Sequence, residues 1–181
     1  MRMTTGDQEL AQAAAHGDRD AFACLLKRHY DRLFGLCFRL TGTRDAAEDL
    51  TQDICLALPA KLASFRGDAK FSTWLYRITC NAAHDRRRRA MTHAKAAKGW
   101  GDWEINRQAA ISEGQEALTW LQTAMTALPD DLRDTAVLTM GDEMTHAEAA
   151  EILGVSEGTI SWRLSEIRKR LRAIHEREQT E

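Results

Sequence analysis

Two prolines, two tyrosines and no glycine-rich phosphate loop mark this 181-residue chain by what it lacks. With proline confined to Pro59 and Pro129, long stretches are free to run as helix. No apolar run approaches the roughly 18 residues of a membrane span, which excludes an inserted protein. The start, Met1-Arg2-Met3-Thr4-Thr5-Gly6-Asp7, has no apolar signal-peptide core. A cytoplasmic location is the expectation. The four cysteines, Cys24, Cys37, Cys55 and Cys80, form no CxxC pair and no Cys/His ligand spacing. They are expected to be buried structural thiols, with no metal site. No nucleophile–base pair stands out either, so neither an enzyme nor a bound cofactor is expected.

What is present is charge, sorted into blocks. The formal net charge is only −2, yet residues 61–98 hold ten Lys/Arg against two acids, a net of +8. Residues 99–162 hold two Lys/Arg against twelve acids, a net of −10. In the basic block, Trp74 and Tyr76 precede an unbroken Arg86-Arg87-Arg88-Arg89. Positive charge releases counterions from a phosphate backbone, and aromatic rings offer stacking surfaces to unpaired bases. A solvated basic face is the plainer reading of the same run.

Hydrophobic residues make up 44% and recur at three- and four-residue spacing, which predicts an all-α protein. Helices are expected over residues 7–41, with a break near Gly17, and from Thr43 to about Leu58, ended or bent at Pro59. Ser64–Lys70 reads as a loop and Phe71–Arg89 as a long helix. The Ala-rich, glycine-punctuated stretch around Gly99, Trp100 and Gly101 marks a domain boundary. Two helical domains follow, 1–92 and 114–175, with a linker over 93–113 and a tail over 176–181.

Asp45, Glu48, Asp49, Gln52 and Asp53 share one face of the second predicted helix. Asp45, Asp49 and Asp53 are i, i+4 like-charge neighbours, each pair costing roughly 0.2–0.5 kcal/mol. A helix that keeps such a stripe has reason to show it to a basic partner; a solvated face is the plainer alternative. In the long helix, Phe71, Leu75, Ile78 and Ala82 form an apolar stripe, and Arg77, Asn81, His84 and Arg88 repeat its spacing on an adjacent face. That face can donate to phosphates and to base edges, with Trp74 at its border.

Near the C-terminus, Thr145-His146-Ala147-Glu148 fits a capping box. Ala149, Ala150, Ile152 and Leu153 supply a packing face, Gly154-Val155 the turn, and Ser156 the next cap. Ile160, Leu164, Ile167, Leu171 and Ile174 form an apolar seam, while Ser161, Trp162, Ser165, Glu166, Lys169 and Arg172 point away from it. This is the layout of a helix-turn-helix whose second helix enters the major groove.

With these motifs in this order, the chain resembles the extracytoplasmic-function (ECF) sigma factors, the compact initiation subunits of bacterial RNA polymerase. The resemblance is carried by Asp45–Asp53, Ser64-Phe65-Arg66-Gly67, Phe71–Ile78 with Asn81 and Asp85–Arg88, Leu128-Pro129, Ala147–Val155, and Gly158-Thr159-Ile160 with Arg163-Leu164. It implies that Asp45, Glu48, Asp49, Gln52 and Asp53 dock on the core polymerase clamp. It implies that Arg66, Lys70, Trp74, Arg77 and Asn81 open and read the −10 promoter element, with Arg86, Arg87 and Arg88 on phosphates. Ser156, Gly158, Thr159, Ser161, Trp162, Arg163, Ser165 and Lys169 would meet the −35 element. Where the family often has Lys-Ser-Arg in that helix, this chain has Ser161-Trp162-Arg163, so the −35 sequence does not carry over. The outward Trp162, with Trp100 and Trp103 in the linker, would serve as apolar anchors for an anti-sigma regulator. The competing reading is a stand-alone helix-turn-helix regulator with an unrelated sensing domain, which would have no use for the acidic stripe.

Overall fold

The computed structural model describes residues 6–97, 120–121, 123–141 and 144–178. Every element among these is helical. The first domain is built from α1 (Asp7–Ala15), α2 (Arg19–Thr41), α3 (Arg44–Leu62) and α4 (Phe71–Ala97). The second holds a helical stretch over 123–127, α5 (Asp130–Ala136) running into a π turn (Val137–Gly141), α6 (His146–Leu153) and α7 (Glu157–Glu178).

Local chemistry sets the boundaries. Asp18 accepts from the Asp20 and Ala21 amides to start α2, and Gly42, at φ 80°, ends it. A left-handed residue there costs glycine nothing, which is why the chain can turn at once into the Thr43 cap of α3. The core of the first domain is Leu25, Leu33, Leu36, Leu50, Ile54, Leu58, Leu62, Phe71 and Leu75, all nearly or wholly inaccessible.

Several details differ from the sequence reading. The helix of Pro59 does not end there but runs on to Leu62. An interior proline costs about 3 kcal/mol, and burying Leu58 and Leu62 on one face, at roughly 1.5–3 kcal/mol each, offsets it. The buried stripe of α4 is Phe71, Leu75, Thr79 and Ala83 with Tyr76 and Cys80, while Ile78 and Ala82 are half-buried. Thr79 is tolerated inside because its hydroxyl donates to the Leu75 carbonyl at 2.9 Å. Tyr76 is therefore core and offers no stacking surface. Cys37 and Cys80 are buried as expected and Cys55 partly so, but Cys24 is exposed. Helix α4 also extends past residue 92 to Ala97, and Trp100 and Trp103 lie outside the described residues.

In the second domain Arg133 closes the helical stretch before it, donating to the carbonyls of Met125, Thr126 and Leu128 at 2.8, 2.7 and 3.0 Å. These carbonyls lie at or just past the end of that stretch, where the intrahelical ladder runs out. Leu138, Ile160 and Ile167 are wholly buried and hold α5, α6 and α7 together.

Candidate nucleic-acid interface

The helix-turn-helix is built as its sequence predicts. The Thr145 hydroxyl accepts from the Glu148 amide at 3.2 Å, and Glu148 accepts from the Thr145 amide at 3.1 Å. Gly154 turns the chain at φ 67°. Ser156 then accepts from the Thr159 amide at 3.1 Å to start α7. The bond from the Thr145 amide, seconded by its hydroxyl, holds the Glu148 carboxyl below its ordinary range. Thr145→Ala should destabilise the second domain by about 1 kcal/mol in chemical denaturation. The Glu148 contribution is present above the unfolded carboxyl value of about 4.3 and is lost as pH falls through its lower folded value.

Ser156 at the start of α7 is exposed, as are Gly158, Ser161, Trp162, Ser165 and Lys169 on it, and Trp162 is 62% accessible. Thr159 is half-buried. Ser161 lies 3.2 Å from His146 of α6, which joins the two helices of the motif at their outer edge. Arg163 behaves differently from the other expected −35 residues. It turns inward, to Asp131 at 3.4 Å and the Thr135 hydroxyl at 3.4 Å, and its side chain is 15% accessible. Its place one residue past the exposed edge of α7 makes it a brace to α5.

The acidic stripe of α3 is laid out as expected: Asp45, Glu48, Asp49, Gln52 and Asp53 are all exposed. Leu56, which the charge pattern hid, continues that face at 73% accessibility. Its signal was its spacing, four residues beyond Gln52 on a face that is otherwise polar.

A model of sigma-70 region 2 matches residues 25–92, and one of sigma-70 region 4 matches residues 118–171. The ECF RNA polymerase sigma factor SigM of Mycobacterium tuberculosis is 36% identical over 170 residues, 94% of this chain and 85% of its own length. The chain belongs to the extracytoplasmic-function sigma factors. SigW of Bacillus subtilis is 31% identical over 176 residues, covering 86% of this sigma factor and 89% of itself. The structure of CnrH in complex with the cytosolic domain of CnrY is similar with a TM-score of 0.70, at 26% identity, over 94% of this chain and 97% of that one. RpoE of Bartonella quintana, solved with the anti-sigma factor NepR, gives a TM-score of 0.67 at 25% identity over 86% and 96%. The match over residues 25–92 replaces the alternative of an unrelated sensing domain.

The residues expected to read the −10 element lie on α4 and the loop before it. Phe65, Phe71 and Trp74 form an aromatic cluster with centroids 5.2–5.8 Å apart, and His29 of α2 backs Phe71 at 5.0 Å. Trp74 is thus partly core and partly open. The α1 helix braces this corner: Gln8 donates to the Gly67 carbonyl at 3.3 Å, and Asp7 binds Arg28 and His29 at 2.9 and 2.7 Å. Arg77, Asn81, His84 and Arg88 line one exposed face of α4.

Cations around that face are paired. Arg86 bridges to Asp49 at 2.9 Å and to Asp53 at 3.7 Å, tying the arginine run to the acidic stripe. Arg88 meets Asp85 at 3.0 Å, and Arg66 meets Asp68 at 3.6 Å. Arg87 is turned into the molecule, to Asp130 at 2.9 Å and Asp134 at 2.8 Å, and is only 17% accessible. In this conformation it is not on the surface where the sequence reading put it. The reason is tertiary: α5 delivers two carboxylates to the place where a phosphate was expected. Among the described residues, no group of three or more His, Cys, Asp or Glu is arranged to hold a metal, and no helix is long and apolar enough to cross a membrane.

Proposed function

We propose that this sigma factor directs a bacterial core RNA polymerase to specific promoters and helps to melt the −10 element. Asp45, Glu48, Asp49, Gln52 and Asp53, with Leu56 as an apolar anchor, dock on a basic surface of the polymerase. Arg66, Lys70, Trp74, Arg77 and Asn81 read the −10 strand, with Arg86, Arg87 and Arg88 on its phosphates. The exposed face of α7, centred on Ser161, Trp162, Ser165 and Lys169, reads the −35 element. The sigma factor has no catalytic step of its own and works in the cytoplasm. The observation that carries this reading is the exposed acidic stripe of α3 standing one arginine away from the basic face of α4.

An anti-sigma factor is the proposed regulator, as NepR is for RpoE in their complex. An apolar cleft of about 420 Å³ between Phe38, Leu40 and Thr41 of α2 and Met125, Val137 and Met140 of the second domain is a surface such a regulator could fill. Phe38 and Met140 are left open at its rim. Run-off transcription with core polymerase on a genomic promoter library tests the function. Transcripts sharing spaced −10 and −35 elements are expected; no transcripts and no co-elution with core polymerase would overturn it.

A further inference from the structure

The N-terminal residues of a recognition helix are the ones that meet base edges, and here they are Ser156–Glu166. A guanine is read in the major groove by arginine or lysine, and an adenine by asparagine or glutamine. Ser156–Glu166 holds no lysine, asparagine or glutamine, and a single arginine. That arginine, Arg163, is held inside the domain by Asp131 and Thr135. The other polar groups are largely engaged as well. The Ser156 and Thr159 hydroxyls lie 2.9 Å apart, Ser161 is 3.2 Å from His146, and Glu166 is taken by Arg170 at 2.8 Å. Trp162 stands out against this background. Successive helical residues are about 100° apart, so it points roughly opposite the buried seam of Ile160, Leu164 and Ile167. Helical side chains lean toward the N-terminus of their helix, which carries the indole over the residue four back. That residue is Gly158, where a Cβ would meet nothing nearer than the Ser156 Oγ at 3.7 Å. The glycine gives the indole no side chain to pack on and leaves room beside it for a base edge.

We propose that Trp162 is the specificity-determining residue of the −35 reader and selects thymine, packing its indole on the C5-methyl group in the major groove. The inference rests on the −35 assignment above. Of the four bases, thymine alone presents an apolar group in that groove. An exposed indole gains by covering a methyl, and its Nε1–H is a donor that the thymine O4 can accept. Guanine and adenine also offer acceptors there but no methyl. Cytosine presents only an amino donor, which an indole has no acceptor to meet. The charge on the face sharpens the choice. With no free cation in Ser156–Glu166, this half of α7 adds little attraction to phosphate. Its contribution to binding therefore depends on the base that lies against Trp162.

The test uses the full chain assembled with core polymerase on a promoter found by run-off transcription. Each −35 thymine in turn is replaced by deoxyuridine, which removes only the methyl. Equilibrium binding is measured for the unaltered and Trp162→Ala proteins. At one or two positions deoxyuridine should weaken the unaltered holoenzyme by about 4-fold, the worth of one buried methyl. Exchanging the pair there for cytosine–guanine should weaken it by about 5- to 150-fold, and 5-methylcytosine should recover part of that loss. With Trp162→Ala, thymine and deoxyuridine should bind alike at those positions, whereas Trp162→Phe should keep the preference. Deoxyuridine in the −10 element should affect both proteins equally, which keeps a lost fold apart from a lost readout. The same deoxyuridine penalty in both proteins at every −35 thymine, or none in either, would overturn the proposal and leave Trp162 to a protein partner. A −35 element with no thymine on either strand would overturn it too. Hydroxyl-radical footprinting separates the two ideas. An upstream footprint without methyl dependence removes the thymine inference alone, whereas no upstream footprint from the unaltered holoenzyme removes the −35 assignment beneath it.

Discussion

Asp49→Asn/Asp53→Asn should abolish most promoter-specific transcription while leaving the fold intact. Both side chains are exposed, and their ion pairs to Arg86 are surface contacts worth little to stability, about 0–1 kcal/mol. Against the polymerase they would be desolvated partners of a basic surface. Removing one side of such a pair costs about 2–5 kcal/mol, so the double variant should lose at least roughly 100-fold in affinity for core polymerase. Asparagine is the better probe than lysine, because a lysine at either position would also repel Arg86 and disturb the phosphate run. Arg86→Gln serves as the companion: it should spare co-elution with core polymerase and weaken promoter opening. Full transcription from the double asparagine variant would show that the stripe is only a solvated face.

Phe71→Ala should destabilise the first domain by about 3–5 kcal/mol in chemical denaturation. Phe71 is 2% accessible and sits at the junction of His29, Phe65 and Trp74. Losing its ring leaves a cavity beneath the Ser64–Lys70 loop and frees Trp74 from the orientation in which it borders the proposed −10 face. The functional loss should therefore exceed the fraction of unfolded protein, because the folded remainder has a misplaced Trp74. Phe71→Leu, which fills most of the volume, should restore stability more than it restores −10 opening. Equal recovery of both would mean that Trp74 is packing alone.

The sequence carried the helices and both candidate surfaces because each depends on contacts a few residues apart. The cap at Thr145, the left-handed Gly154, the seam Ile160–Leu164–Ile167 and the stripe Asp45–Asp53 are all periodic or local. Of the two outcomes it allowed at Pro59, an end or a bend, the end is excluded, since a helix-breaking preference near 3 kcal/mol is overruled by the burial of Leu62. It placed the α4 stripe one face off, at Ile78 and Ala82, because Thr79 reads as polar until its hydroxyl finds the Leu75 carbonyl. Leu56 went unnoticed among acids, where one exposed leucine has no period to announce it.

What the sequence by itself determined was that this chain is helical, in two parts, and sorted by charge into a basic half-surface and an acidic one. What only the tertiary structure decided was which arginines remain available. Arg86, Arg87 and Arg88 are adjacent in the chain, yet one faces α3, one is enclosed by α5 and one stays in solvent against Asp85. Successive residues on a helix point about 100° apart, so a run of like charge is divided among whatever neighbours the packing brings to each side. Those neighbours lie more than 30 residues away for Arg86 and more than 40 for Arg87, beyond the reach of any local pattern.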